Sequence, residues 1–288
     1  MDTANIILTR DCNERCNFCF VSKKGSINPD LFNKVLNFLL YQKKYINKIK
    51  FCGGEPLLAF KKITNIIEHL LKIKKENFYV EIQTNGVLLT DEKINYFKKY
   101  PFIQININSS VTLRKNFIFL PNIVWALPIS YINPENSLKI LNKILNVYKK
   151  TRKVPRINVL PSYYVNWKRN NKVLLIKVLN EIKKLANTSN IIIENNKRYG
   201  SIPLFNDGIT IDVDGKIYSN NLVLAVDKSD PAINKILIGD INEDYSINKI
   251  LLDDKAKIYE TAKLIFKNKF KETLLIDKLL SKILIYDQ

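Results

Sequence analysis

The segment Thr9-Arg-Asp-Cys-Asn-Glu-Arg-Cys-Asn-Phe-Cys-Phe20 places three cysteines in a C-x3-C-x2-C pattern. At this spacing the thiolates of Cys12, Cys16 and Cys19 can surround one iron–sulfur cluster, and three ligands leave one iron without a protein ligand. An iron with an open position can bind a substrate or a second cofactor. The pattern therefore predicts a catalytic site rather than a closed structural one.

Zinc is the main alternative for these cysteines, because C-x2-C is a common half of a zinc site. Structural zinc takes four ligands, and the only histidine of the chain, His69, falls in a predicted helix. Cys52 ends a predicted strand and is interpreted as a packing residue. Zinc therefore stays open as the second interpretation of the triad.

The composition is that of a globular protein with a substantial core, since 46% of the 288 residues are apolar. No run reaches the ~18 apolar residues that a membrane helix needs, and residues 1–5 lack the pattern of a signal peptide. Cysteines that form no disulfide framework are typical of a reducing compartment. We expect a cytoplasmic protein with no membrane span.

The net charge of +19 raises the question of a nucleic-acid partner. Most of the 46 basic residues are lysines spread along the whole chain, whereas contacts to bases and phosphates favour the bidentate fork of arginine. We interpret the charge mainly as a solvated basic surface. A nucleic-acid partner is therefore not favoured, and an anionic partner stays open.

Short apolar runs alternate with amphipathic stretches through the first half of the chain. Helices are predicted at residues 28–43, 61–75, 91–100 and 136–150. Strands are predicted at residues 5–9, 46–51, 78–83, 102–108, 124–132 and 156–160. Six strands alternating with helices predict an α/β fold with a partial (β/α)6 parallel barrel.

The pattern changes after about residue 170, and we divide the chain into a core at residues 1–168 and a C-terminal α+β extension at residues 169–288. The extension is predicted to contain a β-hairpin at residues 208–218 that turns at Asp214-Gly215. Its other predicted elements are a helix at 171–186, strands at 191–194 and 236–241, and a helical tail at 253–288.

The polar loops follow the carboxyl ends of the predicted strands, where α/β folds place their chemistry. In the fourth strand Gln104, Asn106 and Asn108 alternate with isoleucines. Side chains two residues apart share a face, so the amides are expected to line the barrel interior. The alternative is an edge strand with one wet face.

The cysteine loop, with Phe18 just before Cys19, and the Gly53-Gly54-Glu55-Pro56 loop after the second strand together resemble the radical S-adenosylmethionine (radical SAM) superfamily. The resemblance covers residues 4–165. It implies that Cys12, Cys16 and Cys19 hold a [4Fe–4S] cluster whose open iron binds S-adenosylmethionine. It also implies one-electron cleavage to methionine and a 5′-deoxyadenosyl radical, which abstracts a hydrogen atom from the substrate.

The resemblance and the chemistry of the side chains suggest six positions for contact with S-adenosylmethionine. Glycines let backbone approach a ligand closely, and a glutamate can accept a charge-assisted hydrogen bond from the methionyl ammonium. The aromatic ring would pack near adenine, and the amides would contact the methionyl or ribose part. The positions are Phe18, Gly53, Gly54, Glu55, Asn85 and Asn106; no residue is assigned a catalytic role.

The C-terminal part resembles the SPASM or twitch extensions of radical enzymes that modify peptides and proteins. In that family cysteines beside the hairpin bind auxiliary iron–sulfur clusters. Here Ser201 and Ser219 stand at the matching places, and no cysteine follows Cys52. Auxiliary clusters are therefore not expected.

We predict a radical SAM enzyme that modifies a peptide or protein, for example a ribosomally made precursor. An external one-electron reductant of the flavodoxin or ferredoxin type is implied. One alternative is the same chemistry on a small metabolite or nucleotide. Another is a degenerate, non-catalytic member that binds peptide or nucleic acid.

Overall fold

A computed structural model describes residues 3–16, 19, 21, 25–42, 46–73, 79–149, 151–197, 208–226, 230–243 and 255–284. The chain forms two compact units. The first contains Met1–Thr84, Phe102–Gln104 and Asn206–Ile265, and the second contains Asn85–Pro101, Ile105–Phe205 and Phe266–Gln288.

The first unit is built on parallel strands that the sequence predicted near their observed positions. Strand β1 pairs in parallel with β2, and β2 pairs in parallel with β3. Four of the five residues of β1 are buried, as expected for a parallel strand covered on both faces. The strands are β1 (Thr3–Ile7), β2 (Lys48–Cys52) and β3 (Tyr79–Thr84).

Two amphipathic helices connect these strands, as the βαβ pattern requires. Helix α1 (Pro29–Tyr41) begins where the sequence predicted, because the Asn28 side chain accepts a hydrogen bond from Leu31 N at 2.7 Å and Pro29 occupies the first turn. Helix α2 (Phe60–Ile73) buries Ile63, Ile66 and Ile67 completely on one face.

The second unit continues the alternation of parallel strands and helices. Its strands pair in the order β4-β5-β6-β7, all parallel. They are β4 (Ile103–Asn108), which begins in the first unit, β5 (Ile123–Ile129), β6 (Arg156–Pro161) and β7 (Ile192–Ile193). The helices are α3 (Asp91–Lys98), α4 (Asn136–Tyr148), α5 (Arg169–Thr188) and, after α6 of the first unit, α7 (Asn268–Leu284).

An apolar cluster fills the second unit between these elements. Leu127 and Val159 of the strands, Leu179 of α5 and Leu280 of α7 are all fully buried in it. Beyond the short β7, the Asn195 amide replaces a strand partner, since its Oδ1 accepts from Val159 N at 2.7 Å and its Nδ2 donates to Val159 O at 2.9 Å. A side chain thus completes the backbone pairing of β6.

The predicted C-terminal hairpin forms, and it belongs to the first unit. Strands β8 (Ile209–Ile211) and β9 (Lys216–Tyr218) are antiparallel, and the turn contains Gly215 at φ +84. Strand β10 (Leu237–Asp240) pairs with β9, and helix α6 (Lys255–Phe266) follows. The sequence did not reveal that β8 also pairs in parallel with β1, with Ala4 opposite Ile209.

The predicted α/β class with a parallel sheet and flanking helices is confirmed, and the C-terminal part mixes strands and helices. The boundary between residues 168 and 169 stays a prediction. Among the described helices, none combines the length and apolar character needed to cross a membrane. Ser201, which stands at one place where the SPASM or twitch pattern has a cysteine, lies outside the described residues, as does the segment 246–251, which we included in that resemblance.

Candidate functional site

The loop that carries the cysteines is closed at its base by a short antiparallel bridge. Thr9 pairs with Ser26, Arg10 N donates to Gly25 O at 2.8 Å, and Ile27 N donates to Leu8 O at 3.0 Å. Ser26 Oγ also donates to a carboxylate oxygen of Asp11 at 3.0 Å. The loop therefore leaves the end of β1 with its first residues fixed by hydrogen bonds.

The three cysteines of the triad form no disulfide. Cys12 and Cys16 are half-buried and Cys19 is exposed. A backbone hydrogen bond of 3.0 Å joins Cys19 N to Cys16 O, and Glu14 N contacts the Sγ of Cys12 at 3.4 Å. Within the described part of the chain, no three His, Cys, Asp or Glu side chains are grouped closely enough to hold a metal ion.

The Gly53-Gly54-Glu55-Pro56 loop lies directly against the start of the cysteine loop. Gly54 N donates to Thr9 O at 3.0 Å, and Glu55 N donates to Asp11 O at 2.8 Å. A Cβ on Gly54 would lie 2.0 Å from Asp11 O and 2.5 Å from Arg10 O. Such distances exclude any side chain, so Gly54 is required for contact between the two loops, in addition to its predicted approach to a ligand.

Glu55 is almost completely buried, with 1% of its surface exposed. Its Oε1 accepts hydrogen bonds from Leu57 N at 3.0 Å and from Thr84 Oγ1 at 2.7 Å. The first of these bonds caps the 3-10 turn Pro56–Ala59. A buried carboxylate held on two sides has a fixed orientation, as a ligand-binding group requires. The sequence did not identify Thr84 as its partner.

The two amides predicted to contact S-adenosylmethionine, Asn85 and Asn106, lie in the second unit. Asn106 is 4% exposed and sits in β4 opposite Val124. Gln104 and Asn108 are half-buried, whereas the alternating isoleucines of β4 are buried. Asn85 follows β3, and its Oδ1 accepts from Val87 N at 2.9 Å. The predicted alternation of faces in the fourth strand is present, and the burial of Asn106 does not fit the alternative of a fully wet face.

Two residues considered in the sequence analysis contribute no described contact to the site. Phe18 lies outside the described residues. His69 is exposed on α2, and its Nδ1 lies 3.1 Å from Asn65 O of the same helix. Its position agrees with the interpretation of a surface residue.

A buried ion pair beside the cysteine loop was missed by sequence reasoning. Arg10 Nε donates to Asp212 Oδ1 at 3.0 Å, and Arg10 Nη2 donates to Oδ2 at 2.6 Å. The partners are 202 residues apart in sequence, and no local pattern marks either of them. The β1–β8 pairing brings them together.

Cys52 differs from the triad because it is enclosed at the end of β2, with 3% of its surface exposed. Burial raises the pKa of its thiol to about 11, and the negative charges of Glu81 and Asp212 act in the same direction while Lys50 opposes them. The thiol is therefore protonated and poorly reactive at neutral pH, which agrees with its interpretation as a packing residue.

Sequence comparisons find a matching family model and several curated relatives. The model of the Radical SAM superfamily matches residues 6–112. The putative glycyl-radical enzyme activating enzyme MJ1632 of Methanocaldococcus jannaschii is 36% identical over 90 residues, which span 30% of this chain and 32% of that protein. The GTP 3′,8-cyclase of Aquifex aeolicus is 25% identical over 150 residues, spanning 49% of this chain and 39% of the cyclase.

Solved structures share the fold over a larger part of the chain. The structure of anSMEcpe with bound AdoMet has a TM-score of 0.66 at 14% identity and covers 93% of this chain and 81% of that one. Streptococcus suis SuiB bound to precursor peptide SuiA has a TM-score of 0.57 at 15% identity, covering 79% and 61%. The chain shares the fold of these radical SAM enzymes, and residues 6–112 match the model of the Radical SAM superfamily.

We expect Gly54→Ala to separate the two loops, because the added methyl group overlaps the backbone of Arg10 and Asp11. The free energy of unfolding should fall by about 3 kcal/mol, measured by denaturant titration. Gly25→Ala is the matched control, because a Cβ there would lie 3.6 Å from the nearest atom. Only the backbone strain at φ +98 then lowers the free energy of unfolding, by about 1–2 kcal/mol. Equal losses in the two variants would contradict this account of Gly54.

We expect the iron-free protein to show three rapidly reacting thiols and one slow one in a thiol-reagent titration at pH 8. The slow thiol is Cys52, and Cys52→Ala should remove it alone. The unfolded chain ionises this thiol near pH 9.0 and the folded chain near pH 11. Stability should therefore fall as pH rises from 9 towards 11. Rapid reaction of all four thiols in the folded protein would refute the burial argument.

Proposed function

We propose that this protein is a radical SAM enzyme that uses S-adenosylmethionine and a [4Fe–4S] cluster to abstract a hydrogen atom from a peptide or protein substrate. The chain aligns with 32% and 39% of the two curated relatives. The activity of the whole protein is therefore our inference from the site. The observation that carries it is the contact between the Gly-Gly-Glu-Pro loop and the start of the cysteine loop.

The residue types near this contact suit the proposed cofactors, and the three thiols would have to come closer together than in the described structure to bind a cluster. Three cysteines lie on a partly exposed loop after β1, where Cys12, Cys16 and Cys19 would hold the cluster and leave one iron open. Glu55 is fixed by the hydrogen bonds that it accepts from Leu57 and Thr84. It would accept a further hydrogen bond from the methionyl ammonium of S-adenosylmethionine. When bound, the reduced cluster would supply one electron that breaks the sulfonium of S-adenosylmethionine into methionine and a 5′-deoxyadenosyl radical.

The chain itself would position the cofactors and exclude water from them. The bridge between Thr9 and Ser26 fixes the base of the cysteine loop. The backbone that leads to Cys12 therefore starts from a defined position. Gly53, Gly54 and Glu55 would lie beside the methionyl group, while Phe18, Asn85 and Asn106 remain candidates for the adenine and ribose. An external one-electron reductant of the flavodoxin or ferredoxin type would complete the system, and a cytoplasmic location stays a prediction from cysteine usage.

A peptide or protein substrate is favoured by the extent of the fold likeness. The likeness to anSMEcpe covers 93% of this chain and so includes much of the C-terminal part. SuiB shares the fold, and its structure was solved with precursor peptide SuiA bound. These observations support a ribosomally made peptide as the substrate class proposed here.

A small nucleotide or metabolite is the second candidate, because the relative matched over 150 residues is a GTP 3′,8-cyclase. That match spans only 49% of this chain. The net charge of +19 would attract an anionic substrate. A solvated basic surface without a specific partner explains the charge equally well. A nucleic-acid partner remains unfavoured.

We expect anaerobically reconstituted protein to bind iron and sulfide, to absorb as an iron–sulfur protein, and to form 5′-deoxyadenosine with dithionite and S-adenosylmethionine. Cys16→Ala should abolish both the absorption and the product, because it removes one of three ligands. Cys52→Ala is the matched control and should retain both, since Cys52 is buried outside the triad. A fully active Cys16→Ala protein would disprove the cluster assignment.

The substrate class can be decided by deuterium transfer into 5′-deoxyadenosine. The probes are deuterated GTP and perdeuterated synthetic peptides, whose sequences are taken from short reading frames found by sequencing the surroundings of the gene. We expect mass-shifted 5′-deoxyadenosine with the peptide alone, because only the hydrogen donor transfers its label. Transfer from GTP and not from the peptide would replace the proposed substrate class with the second candidate.

A further inference from the structure

The Arg10–Asp212 pair is one of the most enclosed charged contacts in the described part of the chain. Arg10 is 2% exposed and Asp212 is 0% exposed. Two parallel hydrogen bonds, at 3.0 and 2.6 Å, join the guanidinium to the carboxylate. A bidentate pair of this kind fixes the relative orientation of its partners as well as their distance.

Stability alone is a weak reason for such a pair. The free energy needed to remove two charges from water cancels much of the free energy gained from their attraction. Replacing such a pair by apolar side chains of similar volume is often neutral or stabilising. Arg10 carries a further cost, because its Nη1 is buried without a hydrogen-bond partner among the described residues. The arrangement is explained better by a requirement for geometry.

Both partners are held firmly by their own backbones. Arg10 N donates to Gly25 O, and the Arg10 carbonyl lies against Gly54. Asp212 belongs to the hairpin turn, where its N donates to Lys216 O at 3.0 Å and its O accepts from Gly215 N at 2.9 Å. The ion pair thus connects two rigid pieces of backbone.

The connection reaches the cysteine loop through two residues. Arg10 precedes Cys12 with only Asp11 between them, and Asp11 O accepts the hydrogen bond from Glu55 N. On the other side, Arg10 Nη2 also donates to Val223 O at 3.3 Å, in the turn after β9. One side chain therefore links the C-terminal hairpin region to the residues that begin the loop.

We propose that Arg10 and Asp212 are positioning residues, through which the C-terminal hairpin holds the first cluster ligand, Cys12, in its binding geometry. This inference rests on the proposed function, which makes Cys12 a ligand. No cysteine follows Cys52, so the C-terminal part supplies no thiolate to the site. Its contribution is the carboxylate that orients Arg10.

The test compares three variants of the full chain with the wild type after anaerobic reconstitution. Asp212→Asn removes the charge and keeps the shape. The double variant Arg10→Met with Asp212→Leu replaces the pair by apolar side chains and keeps the protein foldable. Glu81→Gln is the matched control, since Glu81 is a carboxylate with 1% exposure that pairs with Lys50 at 3.3 Å.

Three quantities are measured: the melting temperature, the iron retained per chain against a chelator, and the EPR g-values of the reduced cluster with and without S-adenosylmethionine. Asp212→Asn should lower the melting temperature, weaken iron retention about 10–100-fold and shift the g-values. The double variant should recover the melting temperature but not the iron retention or the g-values. Glu81→Gln should lower the melting temperature alone.

The outcomes separate this inference from the proposed function. If the wild-type protein retains iron and the double variant matches it in iron retention and g-values, the positioning role is overturned and the proposed function stays intact. Wild-type protein that binds no iron would overturn both. A shift of g-values in Glu81→Gln as large as that in Asp212→Asn would also overturn the specific role of the pair.

Discussion

The close approach of Gly54 to the backbone of Arg10 and Asp11 is the constraint on which the arrangement of the site depends. The carbonyl oxygens occupy the space that a Cβ would need, and two backbone hydrogen bonds maintain the contact. The parallel register of β1 and β2, with Ile7 opposite Cys52, delivers both loops to the same edge of the sheet. The chemistry of the cysteines and the orientation of Glu55 therefore have a common structural origin.

Both units have apolar cores, and most of the buried charged side chains among the described residues lie in the first unit. The second unit is packed with a large apolar cluster. The first unit buries Arg10 with Asp212, and Lys50 with Glu81, besides the carboxylate of Glu55. Buried charges give little net stability, but they restrict the geometry of what they touch. The first unit, which contains the cysteine loop, therefore combines an apolar core with several buried charged contacts.

Much of the fold was predictable because its signals are local. Asn28 and Pro29 mark the start of α1, the isoleucines of β4 mark its buried face, and Asp214-Gly215 marks the hairpin turn. The cysteine triad and the Gly53-Gly54-Glu55-Pro56 loop could be recognised from residue chemistry and spacing, and their assignment as a cofactor site stays a prediction. The partners of Arg10 and Glu55 were not predictable, since each depends on strand neighbours that no local pattern specifies. The same reason hid the pairing of β8 with β1.

That pairing has a consequence for the newly made chain. Residues 4–6 find their partners at 209–211, so one side of β1 stays unpaired while about 200 further residues are synthesised. At roughly 5–20 residues per second this takes about 10–40 seconds. Long-range pairing of this kind also raises contact order and slows folding. The cysteine loop therefore acquires its final support from β8 and Asp212 only after the hairpin has been translated.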